Sequence, residues 1–455
     1  MPDPSIQTQP TSPAFSSSDP PKRSGKSALA IVFLVVFIDL LGFGIVIPLL
    51  PRYGDRYVKA LLPSAAEAGG ESRAAGAVLG LLMASFSAMQ FLFAPIWGRI
   101  SDRIGRRPIL LVGLTGSVLF YLLFGYASDL PETWAALALT LLFVSRIGAG
   151  VAGATIATAQ AVIADCTTPE RRKHGMALIG AAFGIGFTFG PLVGFASLLW
   201  FPNHHGAIGY SAAALSFLAL VLGFFLMPET RHFKEAPPLQ RRWLDWRATR
   251  DVLRQPALAP IVLIFFLATL GFGGFEPTLA LLIKDALRFE DEAGLRNSFL
   301  IFAYVGLVLV LTQGFLYRRL ANRLSEVTFM ALGISLMALG LVLLGGVTWL
   351  RNTIDWGALL TLMLVSMTLA VVGFAFLTPS AQALVSRRSD PAKQGEILGV
   401  NQSAASLARI LGPIFGLSLY KLTPSHLLPY LFGAALLLVM LPLLPRIRHA
   451  PEITR

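Results

Sequence analysis

The sequence predicts an all-α membrane protein in which twelve transmembrane helices form two related six-helix bundles. Three observations carry that expectation. Of 455 residues, 55% are hydrophobic and 14% charged, where a soluble domain holds about a quarter charged residues. Apolar runs of about 18 or more residues recur along the chain, and crossing a hydrocarbon core of about 30 Å takes about 20 residues. Strings in the second half also repeat strings in the first at a constant offset, so one six-helix unit occurs twice.

Residues 1–27 are rich in Pro and Ser and nearly devoid of apolar side chains, which predicts a disordered tail. The first apolar run is not a cleaved leader, because it is long, carries Asp39 and lacks a small-residue cleavage site. The predicted N-terminal bundle, 28–227, holds α1 (Ala28 to Leu50), α2 (Ala75 to Trp97), α3 (Pro108 to Tyr126), α4 (Trp134 to Ile163), α5 (Gly175 to Trp200) and α6 (Gly209 to Met227). A basic linker, 228–256, leads to the C-terminal bundle, 257–445. That bundle holds α7 (Ala257 to Lys284), α8 (Ser298 to Tyr317), α9 (Val327 to Val347), α10 (Trp356 to Leu377), α11 (Gly395 to Lys421) and α12 (Leu427 to Leu444), before a tail, 446–455.

Between α2 and α3 the chain reads GRISDRIGRRP (Gly98 to Pro108), a basic hairpin with four arginines. Basic loops this short stay cytoplasmic. On the topology this fixes, 26 of the 37 Lys and Arg residues lie on the side of the termini and 9 on the other. Both termini are therefore expected in the cytoplasm.

The internal repeat is explicit. AQAVIADCTTP (Ala159 to Pro169) matches AQALVSRRSDP (Ala381 to Pro391), and GPLVG (Gly190 to Gly194) matches GPIFG (Gly412 to Gly416), both at an offset of 222. At an offset of 220, Arg99 and Arg103 answer to Arg319 and Arg323, while α1 and α7 share LGFG. Repeated halves with a site between them are a transporter architecture.

Other classes fall away on composition. The net charge of +12 sits at helix ends, so it marks topology rather than a nucleic-acid partner. The single cysteine, Cys166, excludes an internal disulfide or a cysteine metal cluster, and reads as a small residue at a helix end. GAGVAG (Gly148 to Gly153) has the letters of a dinucleotide fingerprint but lies inside a membrane helix, where close packing explains it. No enzyme motif, cofactor or metal site is expected.

Charges inside the membrane are costly and seldom kept without a use. Asp39 lies about 16 Å into α1 at helical rise. Arg146 in α4, Arg409 in α11 and Glu276 in α7 complete a candidate proton-coupling set, the alternative being static ion pairs that position helices. Gln160, Tyr304, Gln382, Asn401 and Gln402, with Gln90 and Gln313, are uncharged polar residues at membrane depth, candidates for lining a substrate cavity. Gly42, Gly44, Pro48, Gly186, Gly190, Pro191, Gly194, Gly412, Pro413 and Gly416 permit close packing and bending.

GRISDRIGRRP resembles the signature loop of the major facilitator superfamily. DLLGFGIVIPLLP (Asp39 to Pro51), Arg146 with Gly150, VIAD ending at Asp165 and GFTFGPLVGF (Gly186 to Phe195) resemble motifs of its twelve-helix drug:proton antiporter branch, which includes tetracycline exporters. The last departs from the pattern at Phe195, where a second glycine is usual. The resemblance implies the major facilitator fold and a gating loop of Gly98, Arg99, Asp102, Arg103, Gly105, Arg106 and Arg107, with Arg106 paired to Asp165 and, in the outward-open state, Asp102 meeting the start of α11. It implies that Arg146 takes part in proton coupling. Because α8 and α9 lack the histidine and mid-helix aspartate associated with tetracycline recognition, the resemblance points away from tetracycline itself.

The expected function is proton-driven export of small amphipathic compounds by alternating access, by a monomer in a bacterial inner membrane. Its partners are a small-molecule substrate, protons and the lipid bilayer. Alternatives are uptake of a small metabolite, on the same fold, and a membrane sensor or scaffold that does not transport.

Overall fold

The computed structural model describes residues 22–46, 48–61, 73–166, 172–202, 204–230, 250, 252–288, 292–321, 323–388 and 394–449. Among these every regular element is helical. Among the described residues nine helices are long and apolar enough to cross a membrane, and α1 reaches that measure only when Ala30–Val46 is taken together with Leu50–Leu61 beyond the bend. The shorter apolar segments Thr188–Trp200 and Leu428–Leu443 fall where α5 and α12 are predicted.

The departures from the predicted boundaries have local causes. α1 begins at Lys22, inside the stretch expected to be disordered, and ends at Val46. The chain then bends by 41° into an amphipathic helix, Leu50–Leu61, which the hydropathy pattern had placed in a loop. Its buried face includes Leu50, Tyr53, Tyr57 and Val58, and Tyr57 donates to the carbonyls of Ala127 (2.9 Å) and Leu130 (2.7 Å) at the end of α3. This helix caps the bundle beyond the α1 span.

The GRISDRIGRRP stretch is almost entirely helical rather than a loop. α2 runs Arg73–Ile104 and α3 Arg106–Asp129, so Gly105 alone separates them. Gly105 has φ 108°, a conformation open to glycine but strained for other residues.

α4 is Ala135–Ala152, a 3-10 turn at Gly153–Thr155, then Ile156–Cys166. The break exposes backbone carbonyls inside the membrane, where an unmet acceptor is costly. α2 meets them: Trp97 Nε1 donates to Val151 O (2.7 Å) and Gln90 Nε2 to Gly153 O (3.2 Å). Gln90 is thus a structural donor.

α5 is Arg172–Trp200, α6 Ala207–Leu226, α7 Ala259–Leu287 and α8 Glu292–Leu311, which continues into a π-helical turn at Thr312–Tyr317. α9 is Glu326–Leu350, α10 Trp356–Arg387, α11 Gln394–Tyr420 and α12 Leu428–Leu438.

The sequence repeat reappears as a packing repeat. A Cβ on Gly190 would stand 2.7 Å from the carbonyl carbon of Gly44, so α1 and α5 touch backbone to backbone. In the second bundle a Cβ on Gly412 would stand 2.7 Å from the carbonyl carbon of Gly273, and α7 and α11 cross the same way. Gly186 packs on Leu40, Gly416 on Gly274 and Gly42 on the Tyr121 ring. Pro48 sits in the bend after α1.

The bundles share apolar cores at the end away from residues 98–108. Val58, Ala75 and Leu79 of the first bundle join the core of the second, while Leu295 and Phe299 of the second join that of the first.

Candidate functional site

At the end holding residues 98–108, which we call the basic end, Arg106 is the organising side chain. It lies 2.7 Å from Asp102 and 3.2 Å from Asp165, and donates to Ser101 Oγ at 2.6 Å, with 9% of its side chain exposed. The Arg106–Asp165 pairing matches expectation. Asp102 is 54% exposed and engages Arg106 one helical turn away. Gly98 faces open space, Arg99 bonds the Pro95 carbonyl within its own helix, and Arg103 is exposed.

Sequence reasoning missed Glu229, just after α6. Its two carboxylate oxygens accept from the backbone N–H groups of Arg106 (2.9 Å) and Arg107 (3.1 Å). It therefore caps the start of α3, where unsatisfied donors and the helix dipole favour an anion. A Cβ on Gly105 would meet Glu229 Oε2 at 2.4 Å, so the junction and the cap need each other. No local motif announces Glu229, because its partners lie in a different helix pair. Glu229→Ala should cost about 1 kcal/mol and Gly105→Ala about 1–3 kcal/mol, read as lowered melting temperatures of the detergent-solubilised protein.

The second bundle carries the same latch with its charges exchanged. Glu326 at the start of α9 lies 2.9 Å from Arg387 at the end of α10. These positions follow Arg106 and Asp165 at the repeat offsets of 220 and 222.

Between the bundles lies a small pocket lined by Gly44, Pro191, Phe272, Phe275, Glu276, Leu279, Phe302 and Val305. It draws on α1 and α5 from one bundle and α7 and α8 from the other. The close Gly44–Gly190 crossing brings Pro191 to its wall, and Phe272 stacks on Phe374 at 4.0 Å between centroids. Glu276 is the one carboxylate on this lining, and its Oε1 is buried with no hydrogen-bond partner among the described residues. The charge of Arg409 acts on it, and Arg409 also donates to Ser406 Oγ at 3.3 Å.

The other predicted residues scatter around this centre. Arg146 is buried with its guanidinium 4.5 Å from the Phe86 ring centroid, a cation–π contact. Tyr304 bonds Thr368 at 2.6 Å, tying α8 to α10. Asn401 is buried with Oδ1 unpartnered among the described residues, while Gln382 and Gln402 are exposed. The side chains of Asp39 and Gln160 lie outside the described residues. An apolar pocket shared by two bundles, with one ionisable group on its lining, can take up or release a proton at that group.

A family model described as Major Facilitator Superfamily matches residues 32–361 and 300–455. The chain is similar to tetracycline resistance protein, class C, of Escherichia coli, 33% identical over 422 residues, 92% of this chain and 97% of that protein. It is also similar to Major facilitator superfamily domain-containing protein 10 of Homo sapiens, 28% identical over 444 residues, 89% of each. Among solved structures, the human organic anion transporter MFSD10 (TETRAN) matches with TM-score 0.62 at 27% identity, covering 94% of this chain and 100% of that one. The D-xylose-proton symporter shares the fold, with TM-score 0.70 at 18% identity over 93% and 98% of the two chains.

Proposed function

The chain belongs to the Major Facilitator Superfamily, and from that premise we propose that it couples proton entry to export of a small amphipathic compound. That it is a multi-pass membrane transporter rather than an enzyme follows from the family itself. The observation that carries the finer reading is Glu276, a carboxyl with one oxygen buried and unpartnered in an apolar pocket between the bundles. An ion there is costly unless compensated, so a proton and a cargo group compete to relieve the same charge. Asp39 and Arg146 join it as coupling residues, and the exposed polar groups Gln382 and Gln402 serve the approach to the pocket. Alternating access would move the site between faces, with 100 mV supplying about 2.3 kcal/mol per charge. The basic end is assigned to the cytoplasm from its arginines, and the working unit is a monomer in a plasma membrane.

Purified protein in liposomes with an imposed pH gradient should show substrate-dependent proton movement that Asp39→Asn abolishes. Cargo movement indifferent to the gradient would overturn the coupling. Arg409 beside the pocket favours a second reading, an organic anion as cargo, for which anionic rather than cationic dyes would drive the flux.

A further inference from the structure

Two pseudo-symmetric seams close the end of the molecule opposite the basic end. In one, α2 meets α11: Gly76 and Gly80 bring the α2 backbone against Leu417, Ser418 and Ile414. In the other, α5 meets α8, with Gly194 against the Phe299 ring. Each seam also carries a charged contact across the bundles. Lys421 Nζ, following α11, lies 3.0 Å from Asp55 Oδ1 of the Leu50–Leu61 helix, their side chains 4% and 3% exposed. At the other seam the guanidinium of Arg296 sits 5.9 Å from the Phe195 ring centroid, which gives a use to the residue that departs from the helix 5 pattern.

We propose that Asp55 and Lys421 are positioning residues for transport, a gate pair that must separate before this end can open. The proposal rests on the alternating-access reading. Its force comes from burial. An exposed pair such as Arg56–Glu132, with side chains 30% and 59% exposed and both partners in one bundle, contributes little and resists no opening. A buried pair is different, because removing one partner strands the other charge in a dry site. Parting the bundles instead returns both charges to water, so the pair weights the balance between closed and open without locking it. Lys59 lies 3.0 Å from Asp55 Oδ2 on the same helix, and Tyr420 donates to Asp285 at 2.7 Å beside the pair.

The gate is held by charge rather than worked by protons. Burial pushes the Asp55 carboxyl up, but Lys421 and Lys59 outweigh it and hold it below the usual carboxylate range. Arg52, Lys284 and Asp285 complete the charged surroundings. Because the folded value is depressed, the contribution is fully present above about pH 4. It is lost as pH falls through the lowered value.

The test labels two cysteines with a membrane-impermeant maleimide in a Cys166→Ser background, in proteoliposomes. Ser418→Cys reports the closed seam and Gln402→Cys the opposite side of the path. Asp55→Asn and Lys421→Gln should each raise labelling at 418 by about tenfold or more and lower it at 402. The charge swap, Asp55→Lys with Lys421→Asp in a Lys59→Gln background that removes the cation 3.0 Å from Asp55 Oδ2, should restore both rates, and Arg296→Gln should raise labelling at 418 by only about twofold. A pair that merely holds the fold would loosen both sites together, which would overturn the proposal. Unchanged labelling in the single variants would overturn it too. If a pH gradient alone still moves the two sites in opposite directions, alternating access survives that failure; if the gradient moves neither, both readings fall.

Discussion

Glu276→Gln should leave the fold and expression level unchanged and reduce gradient-driven transport by about a hundredfold, the lower range for loss of a positioned proton-transfer group. Gln matches Glu in volume, so the pocket keeps its shape and no cavity penalty arises. What disappears is the ability to hold a charge that a proton or a cargo cation can neutralise. Arg409 then loses the anion its charge acts on, and Glu276→Gln with Arg409→Gln should likewise fold and fail to couple. Exchange of labelled for unlabelled cargo across the membrane needs no net proton movement and should persist in Glu276→Gln. Transport of the single variant within about twofold of the parent at any gradient would remove Glu276 from the mechanism.

Gly190→Val should prevent accumulation of folded protein, and Gly412→Val should do the same from the other bundle. The new Cβ would lie 2.7 Å from backbone carbon in each case, Gly44 for the first and Gly273 for the second. A flexible side chain can swing away from such a clash, but a helix backbone in a packed crossing cannot. Overpacking costs about 1–3 kcal/mol even where side chains can adjust, and here two helices must separate. Gly346→Val is the control, since a Cβ there meets nothing within 4 Å. Monodisperse yield from detergent extraction measures both, and equal yields of Gly190→Val and Gly346→Val would contradict the crossing.

The contrast between these glycines shows what the sequence makes legible. The helices were readable because apolar length is set by the bilayer, and the two crossings because the repeat puts GPLVG and GPIFG in register. The pairing of Arg106 with Asp165 followed from the family resemblance. Long-range polar matches were not readable: Glu229 with the start of α3, and Asp55 with Lys421, join residues far apart whose local surroundings look like ordinary loops. The Leu50–Leu61 helix escaped because its four charged residues hide an apolar face of helical period. The α2–α3 junction escaped because four arginines in eleven residues read as loop, although a helix tolerates them when their heads reach water.

α2 is a single rod of 32 residues, and its two ends do different jobs. Near one end Gly76 and Gly80 lie in the seam with α11, and near the other Ser101 and Asp102 hold Arg106. Between them a Cβ on Gly150 of α4 would stand 2.4 Å from the Phe86 carbonyl oxygen, so the two backbones touch there. On the alternating-access reading, that contact would carry α2 along with its bundle as one lever, so the tip at Gly76 and Gly80 would leave α11 when the bundles rock apart.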